Sequence, residues 1–177
     1  MRKNMRNFIS EREENFMKKS FICITTLCIV GMLNAQYRKA PGFALFNRSD
    51  KLTTLSQLVK NKNVILSFWA SYCVPCKREM PQLKEIENKY GKANNFEVVF
   101  VNIDKEGKNI AVPILNKLNI DNDCLFDLYQ ITAKKYIPDL KVPAVFIINR
   151  NGDVIFEAVG EKPDTLVKIE NFVKNLR

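Results

Sequence analysis

The sequence predicts an α/β domain with a central mixed β-sheet flanked by helices, and three observations predict it. Apolar runs of strand length alternate with amphipathic stretches of helical period between Val64 and Leu118. The runs are continuously apolar, as strands covered on both faces are. The chain then closes with two apolar runs joined across Asn151-Gly152, followed by a last amphipathic segment. The alternation argues for a largely parallel sheet, and the closing hairpin makes it mixed.

At 177 residues, 46% hydrophobic and 27% charged, the chain has the apolar content of one globular domain plus a short appendage, which excludes a disordered or low-complexity chain. The appendage is residues 1–35. Polar Met1 to Phe16 leads into Met17-Lys18-Lys19-Ser20 and then an apolar run from Phe21 to Leu33, too short for the ~20 residues of a membrane-spanning helix. That is the layout of a secretory signal. Cleavage is expected after Ala35, with an uncleaved N-terminal membrane anchor as the alternative, and Met17 is a second candidate start. Cys28 follows Leu27 rather than a small residue, which argues against a lipoprotein signal. Residues 36–177 then form the folded domain of an extracytoplasmic, periplasmic protein.

The first 35 residues hold 6 of the 28 basic and 3 of the 19 acidic residues, leaving a net charge of +6 on the domain. The lysines are dispersed rather than gathered into a stripe with interleaved aromatics, so nucleic acid is not an expected partner.

Phe43 to Phe46 and Leu52 to Leu58 flank the polar turn Asn47-Arg48-Ser49-Asp50, which reads as an N-terminal hairpin extension. Val64 to Phe68 is the first full strand, followed by a loop from Trp69 to Val74. Cys76 to Tyr90 reads as a helix with Met80, Leu83 and Ile86 on one face and a bend at Pro81. Phe96 to Ile103 is the next strand, and Asn109 to Leu118 is an amphipathic stretch, the central helical insertion. Cys124 to Phe126 is a short strand or turn, and Leu128 to Tyr136 a short helix. Val145 to Asn149 and Val154 to Val159 are strands forming a hairpin across Asn151-Gly152, both of which tolerate positive φ. The final helix runs from about Asp164, the candidate cap, to Leu176.

Cysteine usage carries the chemistry. Once Cys23 and Cys28 leave with the signal, Cys73, Cys76 and Cys124 remain, and three cysteines build no disulfide framework. Two cysteines with two residues between them, in an oxidising compartment, point to a redox pair. Cys73 sits at the first turn of a helix, where unpaired backbone donors and the positive end of the dipole favour a thiolate. It is the expected nucleophile, with Cys76 one turn deeper to resolve the mixed disulfide. Half of a zinc site is the competing account of Cys-x-x-Cys, but the chain has no histidine and Cys124 supplies only a third sulfur, so no metal is expected. Cys124 reads as a small buried hydrophobe. Lys77 and Arg78 read as solvated cations that mildly favour the nearby thiolate.

The element order, together with Phe68-Trp69-Ala70-Ser71-Tyr72-Cys73-Val74-Pro75-Cys76-Lys77-Arg78-Glu79-Met80-Pro81, resembles a thioredoxin fold of the extracytoplasmic TlpA/ResA type. The resemblance covers roughly residues 41–177. It implies a thiol-disulfide oxidoreductase without cofactor, acting on a disulfide-bonded protein substrate and recharged by a membrane thiol donor. It further implies that Pro143, in Lys141-Val142-Pro143-Ala144-Val145, is a cis-proline lying against the cysteine pair, with the Val142 backbone open to an extended substrate. Glu79, three residues beyond Cys76, becomes a supporting acid-base group, against a solvated surface glutamate as the alternative. Ser67 departs from ordinary thioredoxins, which place a buried aspartate there, and leaves proton transfer for the deeper cysteine to Glu79 or water. Trp69 is expected beside the pair, offering a face to substrate, or else filling the core. The missing histidine also argues against a copper-delivery relative.

Val74-Pro75 offers no polarising group between the cysteines, so the pair is expected to be reducing. Two other functions stay open on the sequence: a peptide-binding module with a static disulfide, which would fail to reduce insulin, and a thiol peroxidase, for which no threonine and arginine gather around Cys73.

Overall fold

The computed structural model describes residues 37–176, and the expected signal or anchor at 1–35 lies outside them. No helix among the described residues is long and apolar enough to cross a membrane. Seven strands form one sheet: β1 (Ala44–Asn47), β2 (Leu52–Thr54), β3 (Asn63–Trp69), β4 (Phe96–Asn102), β5 (Cys124–Phe126), β6 (Ala144–Ile148) and β7 (Val154–Val159), in the order β2-β1-β5-β4-β3-β6-β7. The helices are α1 (Leu55–Leu58), α2 (Val74–Tyr90), α3 (Lys108–Lys117), α4 (Ile131–Tyr136) and α5 (Thr165–Lys174). This is the expected thioredoxin-like fold, with the hairpin extension on one edge and α3 inserted between β4 and β5.

The sheet is parallel at its centre and antiparallel at its flanks. β3 pairs with β4 and β4 with β5 in parallel, with Trp69 opposite Asn102 and Asn102 opposite Phe126. The three parallel strands therefore end side by side. β1 and β6 run antiparallel to their inner neighbours, and β2 and β7 complete the two hairpins. Every residue of β3 is buried, because helices or loops cover both faces of a central strand. The edge strand β7 is mostly half-exposed. Phe68, Tyr136 and Phe146 form an aromatic cluster with ring centroids 5.1 to 5.9 Å apart, at the heart of the core. Truncating Phe68 to alanine would cost about 3–5 kcal/mol, the usual value for an aromatic side chain removed from a packed interior.

Several boundaries differ from the sequence reading for local reasons. The segment Leu52 to Leu58 splits, because Thr54 and Gln57 close a capping box that starts the single turn of α1. The helix expected from Leu128 begins only at Ile131, since Gln130 takes left-handed backbone with φ 59°. Cys124–Phe126 is a strand. At the closing hairpin only Gly152 takes positive φ, at 77°, while the Asn149 side chain accepts from the backbone N–H of Asn151 and Asp153 and makes the turn. Asp164 occupies the N-cap position of α5 but makes no capping bond, its carboxylate being turned to Lys168 at 2.6 Å. α2 runs through Pro81 to Tyr90 and begins at Val74, two residues before its expected start.

Candidate active site

Four residues, Ala70 to Cys73, carry the chain from the end of β3 to the start of α2. Cys73 is the N-cap of that helix. Its Sγ accepts from the backbone N–H of Cys76 at 3.2 Å, the place a serine or aspartate oxygen usually fills. The sulfur thus faces the unpaired donors and partial positive charge of a helix end. Pro75 fits the first turn because that position needs no donor.

Cys73 and Cys76 are joined as a disulfide with their Cα atoms 5.3 Å apart. Cys73 is 6% exposed and Cys76 1%. Cys73 is thus the more exposed residue of the pair.

A group the sequence reading missed holds the loop before Cys73. The buried Asp104 carboxylate accepts from the Ser71 backbone N–H at 2.7 Å, the Ser71 hydroxyl at 2.9 Å and the Asn102 side-chain amide at 2.7 Å. The signal for it was an aspartate two residues past an apolar strand. Lys77 reaches the same loop from the helix, donating to the Ser71 carbonyl at 2.9 Å. It is therefore engaged in loop structure rather than simply solvated. Arg78 is also engaged, in an exposed ion pair with Glu161 at 2.7 Å.

On the other side of the pair a groove of about 600 Å³ is bordered by Pro75, Arg78, Glu79, Pro143, Glu161 and Leu166. The geometry thus brings Glu79 and Pro143 to one surface. Burial pushes the Glu79 carboxyl up to about 7, with the negative charge of Glu161 adding to the rise. Its Oε1 has no hydrogen-bond partner among the described residues. The solvated-glutamate alternative does not describe this side chain. The Val142-Pro143 peptide is cis, and the Pro143 carbonyl accepts from the Gly160 N–H at 2.8 Å.

Trp69 ends β3 wholly buried, with its indole N–H unpartnered among the described residues. In this state it fills the core and presents no face to a substrate. Ser67 is likewise interior, between Phe100 of β4 and Val145 of β6. Cys124 lies fully buried on β5, where desolvation pushes its thiol up to about 12.

Comparison with known proteins agrees with this geometry. The Redoxin family model matches residues 35–176. The thiol-disulfide oxidoreductase ResA of Bacillus subtilis is 30% identical over 135 residues, covering 72% of this chain and 69% of its own. The thioredoxin-like protein YneN of Bacillus subtilis is 38% identical over 126 residues, covering 70% and 69%. A crystal structure described as the thiol:disulfide interchange protein DsbE of Chlorobium tepidum superposes with a TM-score of 0.70 at 33% identity, covering 78% of this chain and 94% of that one. The chain is a thiol-disulfide oxidoreductase and belongs to the Redoxin family.

Proposed function

We propose that the protein reduces disulfides of other proteins in the cell envelope, with Cys73 as attacking sulfur and Cys76 as resolving sulfur. In the dithiol state the Cys73 thiolate attacks one sulfur of a substrate disulfide, and the other substrate sulfur leaves as a thiolate that takes up a proton. Cys76 then attacks Cys73, the second substrate sulfur leaves and is protonated, and the protein is left with its Cys73–Cys76 disulfide. Two electrons and two protons have passed to the substrate. A membrane thiol donor reverses the sequence on the protein. The observation that carries this reading is the Cys73 sulfur at the helix N-cap, where the backbone N–H of Cys76 points at it and would favour its ionised form.

Glu79 supplies the proton traffic that Ser67 has no group to supply. It lies one turn beyond Cys76 on the same helix, and a carboxyl held near 7 both gives and takes a proton at neutral pH. The Val142 backbone has no hydrogen-bond partner among the described residues, which leaves it open to an extended substrate segment. Val74 and Pro75 bring no charge or imidazole to the pair, which favours a reducing potential. The sequence of residues 1–35 favours export to the periplasm, with or without retention as an anchor.

The test is the Cys76→Ser variant. Reduced and mixed with envelope proteins, it should accumulate mixed disulfides on Cys73 that Cys73→Ser does not form; equal capture by both variants would remove Cys73 from its role. A measured potential near the strong-oxidase value of about −120 mV would reverse the direction of flow.

A further inference from the structure

The segment Asp127 to Thr132, between β5 and the first turn of α4, is inside out. Its polar side chains point inward. Asp127 is 3% exposed and accepts from the Ala133 N–H at 2.7 Å, Gln130 donates to the Ile103 carbonyl at 3.0 Å, and Thr132 is buried. Its apolar side chains point outward, with Leu128 and Ile131 exposed and Tyr129 82% exposed. Surface loops ordinarily sort the other way, and a left-handed Gln130 at φ 59° is part of what maintains the inversion.

This segment also shares an end of the sheet with the reactive pair. β3, β4 and β5 are parallel and end in register at Trp69, Asn102 and Phe126, so Ser71-Tyr72-Cys73 and Asp127-Leu128-Tyr129 leave the same end of the sheet on either side of β4. Contacts link them in between: Ser71 is bound to Asp104, and a Cβ built on Gly107 would come within 3.1 Å of the Leu128 Cγ. Of the nine large apolar side chains exposed among the described residues, five lie here: Tyr72, Val74, Leu128, Tyr129 and Ile131. Isolated exposed apolar residues carry no message, but a concentration of them beside a reaction centre marks a contact surface.

We propose that Leu128, Tyr129 and Ile131, together with Tyr72 and Val74, form a docking surface for the protein substrate that selects apolar residues near its target cysteine. The surface is continuous with the reaction centre. A protein disulfide that reacts at Cys73 is brought against Tyr72 and Val74 on either side of that residue, and the inverted segment extends the same face away from the Pro143 groove. Two strand spacings separate the ends of β3 and β5, about 10 Å, and an extended chain covers that in about three residues. The selected side chains therefore lie about three positions from the reacting cysteine. This specificity rests on Cys73 being the attacking sulfur.

Two short peptides test it, each carrying one cysteine as a mixed disulfide with thionitrobenzoate and, three positions to either side, leucine in one and serine in the other. Reduced wild-type protein should release thionitrobenzoate from the leucine peptide about tenfold faster, the scale of burying one such side chain. In Leu128→Ser/Tyr129→Ser/Ile131→Ser the ratio of the two rates should fall to about one. Tyr129→Ser alone, at the most exposed position, should lower it partway. Wild-type protein that does not distinguish the peptides, or a triple variant that still does, overturns the proposal. So does a wild-type dimer that the triple variant converts to monomer while the ratio stays unchanged, since a second copy then covers the surface. Wild type inert even to 5,5′-dithiobis(2-nitrobenzoate) would instead overturn the roles given to Cys73 and Cys76.

Discussion

Cys73 and Cys124 are both largely hidden from solvent, 6% and 0% exposed, yet their surroundings favour opposite chemistry. Cys124 sits wholly buried inside a strand, where desolvation pushes its thiol up to about 12 although the Trp69 side chain and the Asn102 backbone partly offset it. Cys73 sits where a strand has ended and a helix has begun, and a backbone N–H points at its sulfur. The lesson is that burial alone does not silence a thiol. What matters is whether the surroundings favour the anion by more than desolvation penalises it, and a helix N-terminus adds several unpaired donors and a partial positive charge to that side.

The largest expected effect follows directly. In the reduced protein at pH 7, a thiol with its pKa near 12 is ionised in only about one molecule in 10⁵. Iodoacetamide should therefore label Cys73 at least about a thousandfold faster than Cys124, read by mass spectrometry of the quenched digest. Cys73→Ser should abolish disulfide exchange, whereas Cys124→Ala should change its rate less than about twofold. Comparable labelling of the two cysteines would break the contrast.

The contrast also depends on the loop that delivers Cys73 to the helix end. Asp104→Ala leaves the Ser71 N–H, its hydroxyl and the Asn102 amide without their acceptor, and each buried donor left unpaired costs about 1–3 kcal/mol. Allowing for water entering the space, a loss of about 3 kcal/mol is expected in urea unfolding of the oxidised protein. Ser71→Ala, which removes the hydroxyl and keeps the N–H, should cost about 1 kcal/mol. Cys73 labelling should slow in Asp104→Ala, because a loosened loop no longer holds the sulfur at the helix end. Unaltered labelling in a destabilised variant would make Asp104 a support of the fold alone.

How much of this was legible in the sequence depends on how local the cause is. The strands, α2 and the cysteine pair were legible because period, spacing and helix-end physics act within a few residues. The Asn151-Gly152 hairpin was legible for the same reason, although the turn is made by the side chain of Asn149, which no dipeptide rule weighs. Asp104 was not, because its partner Ser71 is far away in the chain and only the parallel pairing of β3 with β4 brings them together. Trp69 as a substrate face was read from its nearness to Cys73, but the last residue of a central strand points into a core that sequence adjacency does not reveal. Leu128 to Ile131 reads in sequence as the start of a short helix, which hides its inverted polarity. Periodicity describes alternation without saying which side faces water.

The effect at Glu79 depends on pH. Its carboxyl is raised from 4.5 in the unfolded chain to about 7 in the fold, chiefly by burial. The folded protein therefore binds more protons than the unfolded one between these values, and stability falls as pH rises from about 4.5 through about 7. Glu79→Gln keeps the size and removes the charge, so the variant should match wild type near pH 4 and exceed it by up to about 3 kcal/mol at pH 8, the linkage equivalent of the shift. Urea midpoints of the oxidised proteins at the two pH values give the comparison. In the exchange reaction the same substitution should flatten an inflection near pH 7 and slow turnover by about a hundredfold, the low end of acid-base assistance. A stability difference without any change in the pH-rate profile would leave Glu79 as a buried acid that the chemistry does not use, and would pass the proton transfer to water above Cys76.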